Sequence, residues 1–548
     1  MIRIPKAGVL VALLIGLYVA ASLWTLLSYS SIDDIGLLFS EPYYQHVAKF
    51  SFWQASLSTL LSVGLAVPVA HALSRRRFWG REWLLKLFAT TLVMPVLVGV
   101  FGIVAIYGNQ GVIAHWFAGG SALFSIYGLN GILLAHVFFN LPFATRLLLV
   151  TIEGVPDEQR KLALHLGMNS WQCFRLVEWP RLKSHLPHVI GLVFMLCFTS
   201  FATVMALGGG PQATTIELAI YQAIKFDFDL PTGAVLALWQ MAICAALVMF
   251  VGRFSQPVSG KSNFHGAPSL QPKDTMLKKG WDSIWIMATL MLVIPPILAI
   301  LLSGLNSKLF DVFTDSRFWS AVSTSLQVAV LAGSIALLVG IVLLSTTRVF
   351  RLKSQARQAD SLELVGTVIL VTPALVLSTA TFLMLRGMAN VFSLAFGIVV
   401  MVNALMALPY VIKTLNQPMQ RLATQYYPLW QSLGMHGLRR FWLMEWRAIR
   451  APILHAFSIS FILSMGDLTV IALFGSQDFN TLPLYLYQLM GSYQLESAAV
   501  VSLVLFALSI GIFSLTDTLN RTPANTHSSK ARSSKAHSQE GSRHVAPK

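Results

Sequence analysis

Few residues in this chain are of a type and spacing that could carry out chemistry. Gly260-Lys261-Ser262 resembles the end of a phosphate-binding loop, but such a loop needs a glycine five residues before the Gly of its Gly-Lys pair. Ser255 stands there, and no strand pattern precedes it. The histidines, His165 and His436 among them, show no metal-ligand spacing, so neither a metal nor a cofactor is expected on this chain. Cys173, Cys197 and Cys244 fit neither a disulfide framework nor a metal set and read as packing residues. Asp467, in SMGDLTV, is the one clear acid inside an apolar run. An ionisable group there is costly and marks a candidate functional site. Two roles stand open for it, a carboxylate that attracts substrate and a cap on a broken helix beside a pathway. No catalytic constellation emerges, and the chain is expected to hydrolyse nothing itself.

The strongest pattern is a stretch the chain contains twice. LGMNSWQCFRLVEWP runs from Leu166 to Pro180 and LGMHGLRRFWLMEWR from Leu433 to Arg447, a shift of 433 − 166 = 267 residues. Leu166/Leu433, Gly167/Gly434, Met168/Met435, Phe174/Phe441, Leu176/Leu443, Glu178/Glu445 and Trp179/Trp446 are identical. Each copy lies between apolar segments, carries Arg (Arg175 in the first, Arg439, Arg440 and Arg447 in the second) and has a Gly that splits a helical pattern into two short pieces. That is the form of a docking element repeated on one face of a membrane protein. Phe174 and Leu176, with Phe441 and Leu443, are candidate apolar anchors, and Glu178 and Glu445 candidate partners for a basic residue of the docked protein. The competing view is that these apolar side chains pack the loop against the membrane spans.

Those loops need a scaffold, and composition identifies it. With 548 residues, 55% of them hydrophobic, 11% charged and a mean hydropathy of +0.67, there is too little polar surface to cover a soluble globule. Crossing the hydrocarbon takes about 20 apolar residues as a helix. Twelve such runs lie at 8–28, 53–74, 86–107, 130–151, 187–208, 232–252, 283–304, 323–345, 363–385, 393–414, 453–474 and 496–516. The first run is too long for a signal-peptide core and is expected to be retained. The net charge of +16 could suggest nucleic acid, but 34 of the 39 Lys and Arg fall in the terminal segments and alternate loops. Positive charge stays on the cytoplasmic side, so both termini and both copies of the repeat are expected there.

The repetition extends further. FWQASLSTL at Phe52 to Leu60 is echoed by FWSAVSTSL at Phe318 to Leu326, LPF at Leu141 by LPY at Leu408, and TIELAIYQAI at Thr215 by TLPLYLYQLM at Thr481, all at shifts of 266 or 267. LVMPVLV around Pro95 and LVTPALV around Pro373 are 278 apart, a difference that a longer basic loop at Arg348 to Arg357 would explain. The expected fold is an all-α polytopic membrane protein of two parallel six-helix halves, with a transport path where they meet. Its divisions are 1–51, a first membrane helix and outer loop; 52–253, the first permease domain; 254–281, a polar linker with Pro and Gly; 282–317, the seventh helix and outer loop; 318–517, the second permease domain; and 518–548, a basic tail too polar to bury a core.

The form Leu-Gly, nine residues, an aliphatic, one residue, an apolar and Pro resembles the EAA loop of binding-protein-dependent ABC importer permeases. Gly167 and Gly434 match the family's Gly, Val177 and Met444 its aliphatic, and Pro180 its Pro. The Glu-Ala-Ala itself is Lys161-Leu162-Ala163 in one copy and Pro428-Leu429-Trp430 in the other, and Arg447 replaces the second Pro. These departures leave the helical start of the loop open, above all in the second half. Within the family, the VEWP/MEWR pair and LGGGPQATTIELAIYQAI from Leu207 to Ile224 look most like the fused thiamine permeases. The resemblance implies a type I importer fold in the bacterial inner membrane, two copies of a separate ATP-binding subunit on the two loops, a periplasmic substrate-binding protein, and thiamine with its phosphate esters as substrate. A cationic thiazolium would suit the electrostatic role of Asp467. A ferric iron permease of the same architecture and a secondary transporter of two six-span halves are the alternatives.

Overall fold

The computed structural model describes residues 6–30, 36, 40–109, 111–117, 125–254, 275–386, 391–435 and 437–520. Most of the linker, the tail beyond Asn520, Gly260-Lys261-Ser262 and His436 lie outside them. The described chain is helical, without a strand. The first half comprises α1 (Lys6–Tyr29), α2 (Pro42–Arg75), α3 (Arg81–Val93), α4 (Val96–Tyr107), α5 (Leu129–Glu153), α6 (Asp157–His165), α7 (Trp179–Phe198), α8 (Phe201–Leu207), α9 (Ile216–Lys225) and α10 (Leu230–Phe254). The second repeats the plan with α11 (Met276–Ser303), α12 (Ser316–Leu352), α13 (Ala356–Thr367), α14 (Ala374–Arg386), α15 (Ala395–Ser432), α16 (Trp446–Met465), α17 (Thr469–Phe474), α18 (Leu482–Gly491) and α19 (Leu495–Asn520).

Ten of the described helices are long and apolar enough to cross a membrane, or eleven with the bent pair Ser170–Phe198 and Phe201–Leu207 taken as one span. The twelve expected runs are largely helical, but 86–107, 187–208, 363–385 and 453–474 are each broken within. Pro373 offers no N–H to a helix ladder and disfavours helical backbone in the residue before it. The chain accordingly passes through a short 3-10 turn at Val368–Leu370 before α14 begins. Pro95 makes the matching break between α3 and α4. Pro142 and Pro409, which also recur, sit inside continuous helices.

The register of the repeat differs from the one the sequence echo suggests. The Ile216 N–H donates to Ser51 Oγ at 2.9 Å, and the Leu482 N–H to Ser325 Oγ at 2.8 Å. These equivalent contacts stand 325 − 51 = 274 apart on α2 and α12. The helices begin at Pro42 and Ser316, the same 274 apart, and end at Arg75 and Leu352, 277 apart. The FWQASLSTL echo is thus about two turns out of structural register. The basic loop does not hold the extra residues either, since 353–355 is shorter than 76–80.

Each half lends its first helix to the other. α1 packs against α12, α13 and α14 as well as α10 of its own half, and α11 against α2 and α4 as well as α19 of its own half. Tyr18 Oη lies 2.5 Å from Thr381 Oγ1, and the Arg76 guanidinium donates from Nε to the buried Asp282 carboxylate at 2.6 Å. Small residues let such helices approach closely: a Cβ on Gly8 would collide with Thr346, and one on Gly102 with the Pro296 carbonyl.

Candidate coupling loops and the interface of the halves

In the first loop, α6 ends at His165 with Leu166 as its C-cap, and Gly167 turns the chain at φ +67°. The Met168 N–H reaches back to Ala163 O at 3.0 Å, closing the helix end. Asn169 then opens the next helix with a reciprocal capping box: its Oδ1 accepts from the Gln172 N–H and its own N–H donates to Gln172 Oε1, both at 2.9 Å. The second loop repeats the turn, with Gly434 at φ +59° and the Met435 N–H on Trp430 O at 3.0 Å. Its helical start is the more continuous of the two. α15 runs through Pro418 and Pro428 to Ser432 without the break found between α5 and α6. Gly154 and Pro156, which make that break, correspond at the 267-residue shift to Arg421 and Ala423, two helix-compatible residues.

Both loops then pass through a π-helical turn at the same place, Phe174–Glu178 and Phe441–Glu445, an irregularity frequent at functional sites. The turn sorts the candidate residues into two sets. Leu176 and Leu443 are 59% and 57% exposed, and Leu166, Leu433, Trp171 and Trp442 stand out beside them. Pro180 is exposed in the first turn of α7, a position that tolerates its missing N–H. Phe174 and Phe441 are half-buried and face their own chain; the Phe174 ring meets the His71 ring edge-on at 4.6 Å. Glu178 and Glu445 are 2% and 0% exposed. The expectation that these acids reach a docked protein is therefore corrected. Glu178 Oε2 accepts from His71 Nδ1 at 3.0 Å, and Glu445 Oε2 from Arg348 at 2.9 Å, with Arg440 Nε 2.6 Å from Oε1. A carboxylate buried among apolar helices has to be paired within the chain, and here it is.

Asp467 lies at the break between α16 and α17. Its Oδ1 accepts from the Thr469 N–H at 3.1 Å and its Oδ2 from the Val470 N–H at 3.0 Å. Both oxygens are spent on helix capping, so the geometry favours the structural role. A second acid escaped the sequence reading. Glu217, in α9, is buried, accepts from Gln240 Nε2 at 2.8 Å and lies at the Phe201 N–H that opens α8. The first half thus has Phe201 where the second has Asp467 because its short helix meets a carboxylate from a neighbouring element instead. The signal was a lone Glu in the apolar TIELAIYQAI run, just beyond the expected span at 187–208.

These elements form the contact between halves. α9 packs on α14 and α17, and Lys225 Nζ donates to Leu473 O and Gly475 O, at 3.0 and 3.2 Å, at the far end of α17. A Cβ on Gly466 would come within 3.0 Å of Pro95. The broken span of one half therefore abuts that of the other.

The chain matches the family model described as "Binding-protein-dependent transport system inner membrane component" over residues 59–262. It is 46% identical to the thiamine transport system permease protein ThiP of Escherichia coli (strain K12), over 89% of this chain and 91% of that protein. It is 41% identical to the protein of that description from Haemophilus influenzae, over 86% and 88% of the two chains. The Brucella abortus (strain 2308) protein is 39% identical, over 87% and 88%. With repeated loops, broken spans at the contact of its halves and this likeness over nearly its whole length, the chain belongs to the thiamine transport system permease family of binding-protein-dependent inner-membrane transport components.

Proposed function

We propose that this chain is the membrane-spanning subunit of an ATP-driven importer that carries thiamine and its phosphate esters across the bacterial inner membrane. Likeness to thiamine permeases along both halves carries the choice of substrate. No observation favours ferric iron or secondary transport. A periplasmic binding protein delivers substrate to the outer side, and both termini face the cytoplasm. Two copies of a separate ATP-binding subunit seat on the two loops through Leu166, Trp171 and Leu176 and through Leu433, Trp442 and Leu443, whose exposure supports the docking view. Gly167 and Gly434 set the angle of each loop, while Phe174, Phe441, Glu178 and Glu445 brace it from beneath. Closure of the ATP-binding subunits rocks the halves about the contact of the broken spans, along which the substrate passes. The chain supplies no cofactor and no hydrolytic group.

The decisive experiment reconstitutes the permease with its ATP-binding subunit and binding protein in proteoliposomes and follows labelled thiamine. Uptake should need ATP and fall on competition with thiamine phosphate or diphosphate but not with ferric iron. Purification of the binding protein with iron, rather than thiamine or a phosphate ester, would overturn the assignment.

A further inference from the structure

Each loop carries a carboxylate that is buried, paired inside the chain and set in a π-helical turn, and it occurs in both halves. A surface for docking has no use for such a group. Apart from Arg440, which meets Glu445 from the loop itself, its partners are on the last turns of the longest first-half helix and its counterpart, α2 and α12. In the second half the contact is direct, Arg348 to Glu445, with Arg348 itself buried. In the first half it runs through a ring. Arg75 NH1 lies 3.1 Å from His71 Nε2. A guanidinium can only donate, so Nε2 accepts, and the ring proton sits on Nδ1, which donates to Glu178. An arginine thus faces each glutamate, once through histidine and once without it. Both helices continue from this pair across the membrane to the outer serines, Ser51 and Ser325, that cap α9 and α18.

We infer that Glu178 and Glu445 are positioning residues that tether each ATPase-facing loop to α2 and α12, so that movement of the loop is delivered to the long helix of its own half and, through it, to the contact between halves. This rests on the docking reading above. Without the tether, a loop held by the ATP-binding subunit can tilt without carrying its helix along. Hydrolysis then proceeds while the path stays as it was.

The readout is the amount of thiamine moved per ATP hydrolysed by the complete complex in proteoliposomes, normalised to assembled complex. Glu178→Leu and Glu445→Leu keep roughly the size of the side chain and remove both acceptor oxygens on which the tether depends. Both should retain the ATP-binding subunit and hydrolyse ATP within about threefold of the unaltered complex, while transport per ATP falls at least tenfold. The double variant Arg348→Gln with Glu445→Leu should be no worse than Glu445→Leu alone, because that change already removes the link to Arg348 together with the one to Arg440. Arg348→Lys keeps the charge but not the reach, and should lower the ratio several-fold with assembly intact; it decides the matter if the leucine variants fail to fold in the membrane. An unchanged ratio in the assembled variants overturns the tether. So does loss of the ATP-binding subunit from the glutamate variants, which would return these acids to the docking surface. Failure of the docking reading is visible separately, as full retention of the ATP-binding subunit after Leu176→Asp with Leu443→Asp.

Discussion

At the scale of single residues, the structure separates cost due to backbone from cost due to space. A Cβ on Gly167 or Gly434 meets nothing within 4 Å, yet both residues have φ near +60°. The constraint is therefore conformational, and Asn, which tolerates the left-handed region, should be accepted far better than Val. Gly167→Val should misdirect the loop at a cost of about 1–3 kcal/mol, reduce co-purification of the ATP-binding subunit and abolish uptake, with Gly167→Asn close to the unaltered protein. Gly434→Val should do no more damage than Gly167→Val. Equal damage from Asn and Val would show that space, not backbone, was limiting. For Asp467 the caps decide. Asp467→Asn keeps one acceptor oxygen and should leave uptake within about twofold, since an N-cap change of this kind costs well under the ~1 kcal/mol typical of removal to Ala. Asp467→Ala should lower it further. A tenfold loss in Asp467→Asn, measured per permease in the membrane, would restore the electrostatic role.

At the scale of elements, sequence reading succeeded where the signal was local and failed where it was tertiary. Gly167 and Gly434 announced their turns because only a left-handed residue ends a helix in that way. Apolar length announced the helices, and Pro95 and Pro373 recurred as a pair. The inward aim of Glu178 and Glu445 was not legible, because the π-helical turn and the partners His71 and Arg348 lie far off in the chain. Glu217 was missed because Gln240 and Phe201 reach it only through folding. The shift of 266 between the FWQASLSTL echoes misled, since apolar helices match well at several offsets and the capping serines, not the matching letters, mark the true register. What the loops offer outward is now narrower: Leu166, Leu176, Leu433 and Leu443, with Trp171 and Trp442. Leu176→Asp should cut co-purification of the ATP-binding subunit at least tenfold, as expected for an interface anchor worth about 2 kcal/mol, without lowering permease in the membrane. Phe174→Ala should instead lower the amount of folded permease, because that ring packs on His71 and Trp179. The reverse pattern would mean that the outward and inward faces have been exchanged.

At the scale of the whole molecule, exchange of the first helices makes the two halves one body before any partner arrives. α1 belongs in sequence to the first half but buries its small face on α12, where Gly8 lies against Thr346 and Val342. Between helices in lipid there is little hydrophobic drive, and close packing of small residues has to hold them. A single methyl group at Gly8 should therefore act at a distance in sequence of more than three hundred residues. Gly8→Ala places a Cβ on the Thr346 side chain and 2.9 Å from the Val342 carbonyl oxygen, an overpacking expected to cost about 1–3 kcal/mol. The expected result is less folded permease and slower uptake, with the second half first to be cut in limited proteolysis. Thr346→Gly removes the side-chain part of the clash and, at about 1 kcal/mol for a glycine inside a helix, should be nearly tolerated alone. Combined with Gly8→Ala, it should recover at least half of the lost uptake, leaving only the approach to Val342 O. If α1 instead packed only within its own half, Thr346→Gly would add its own small penalty to that of Gly8→Ala and recover nothing, so the sign of the interaction between the two changes reports directly on the exchange.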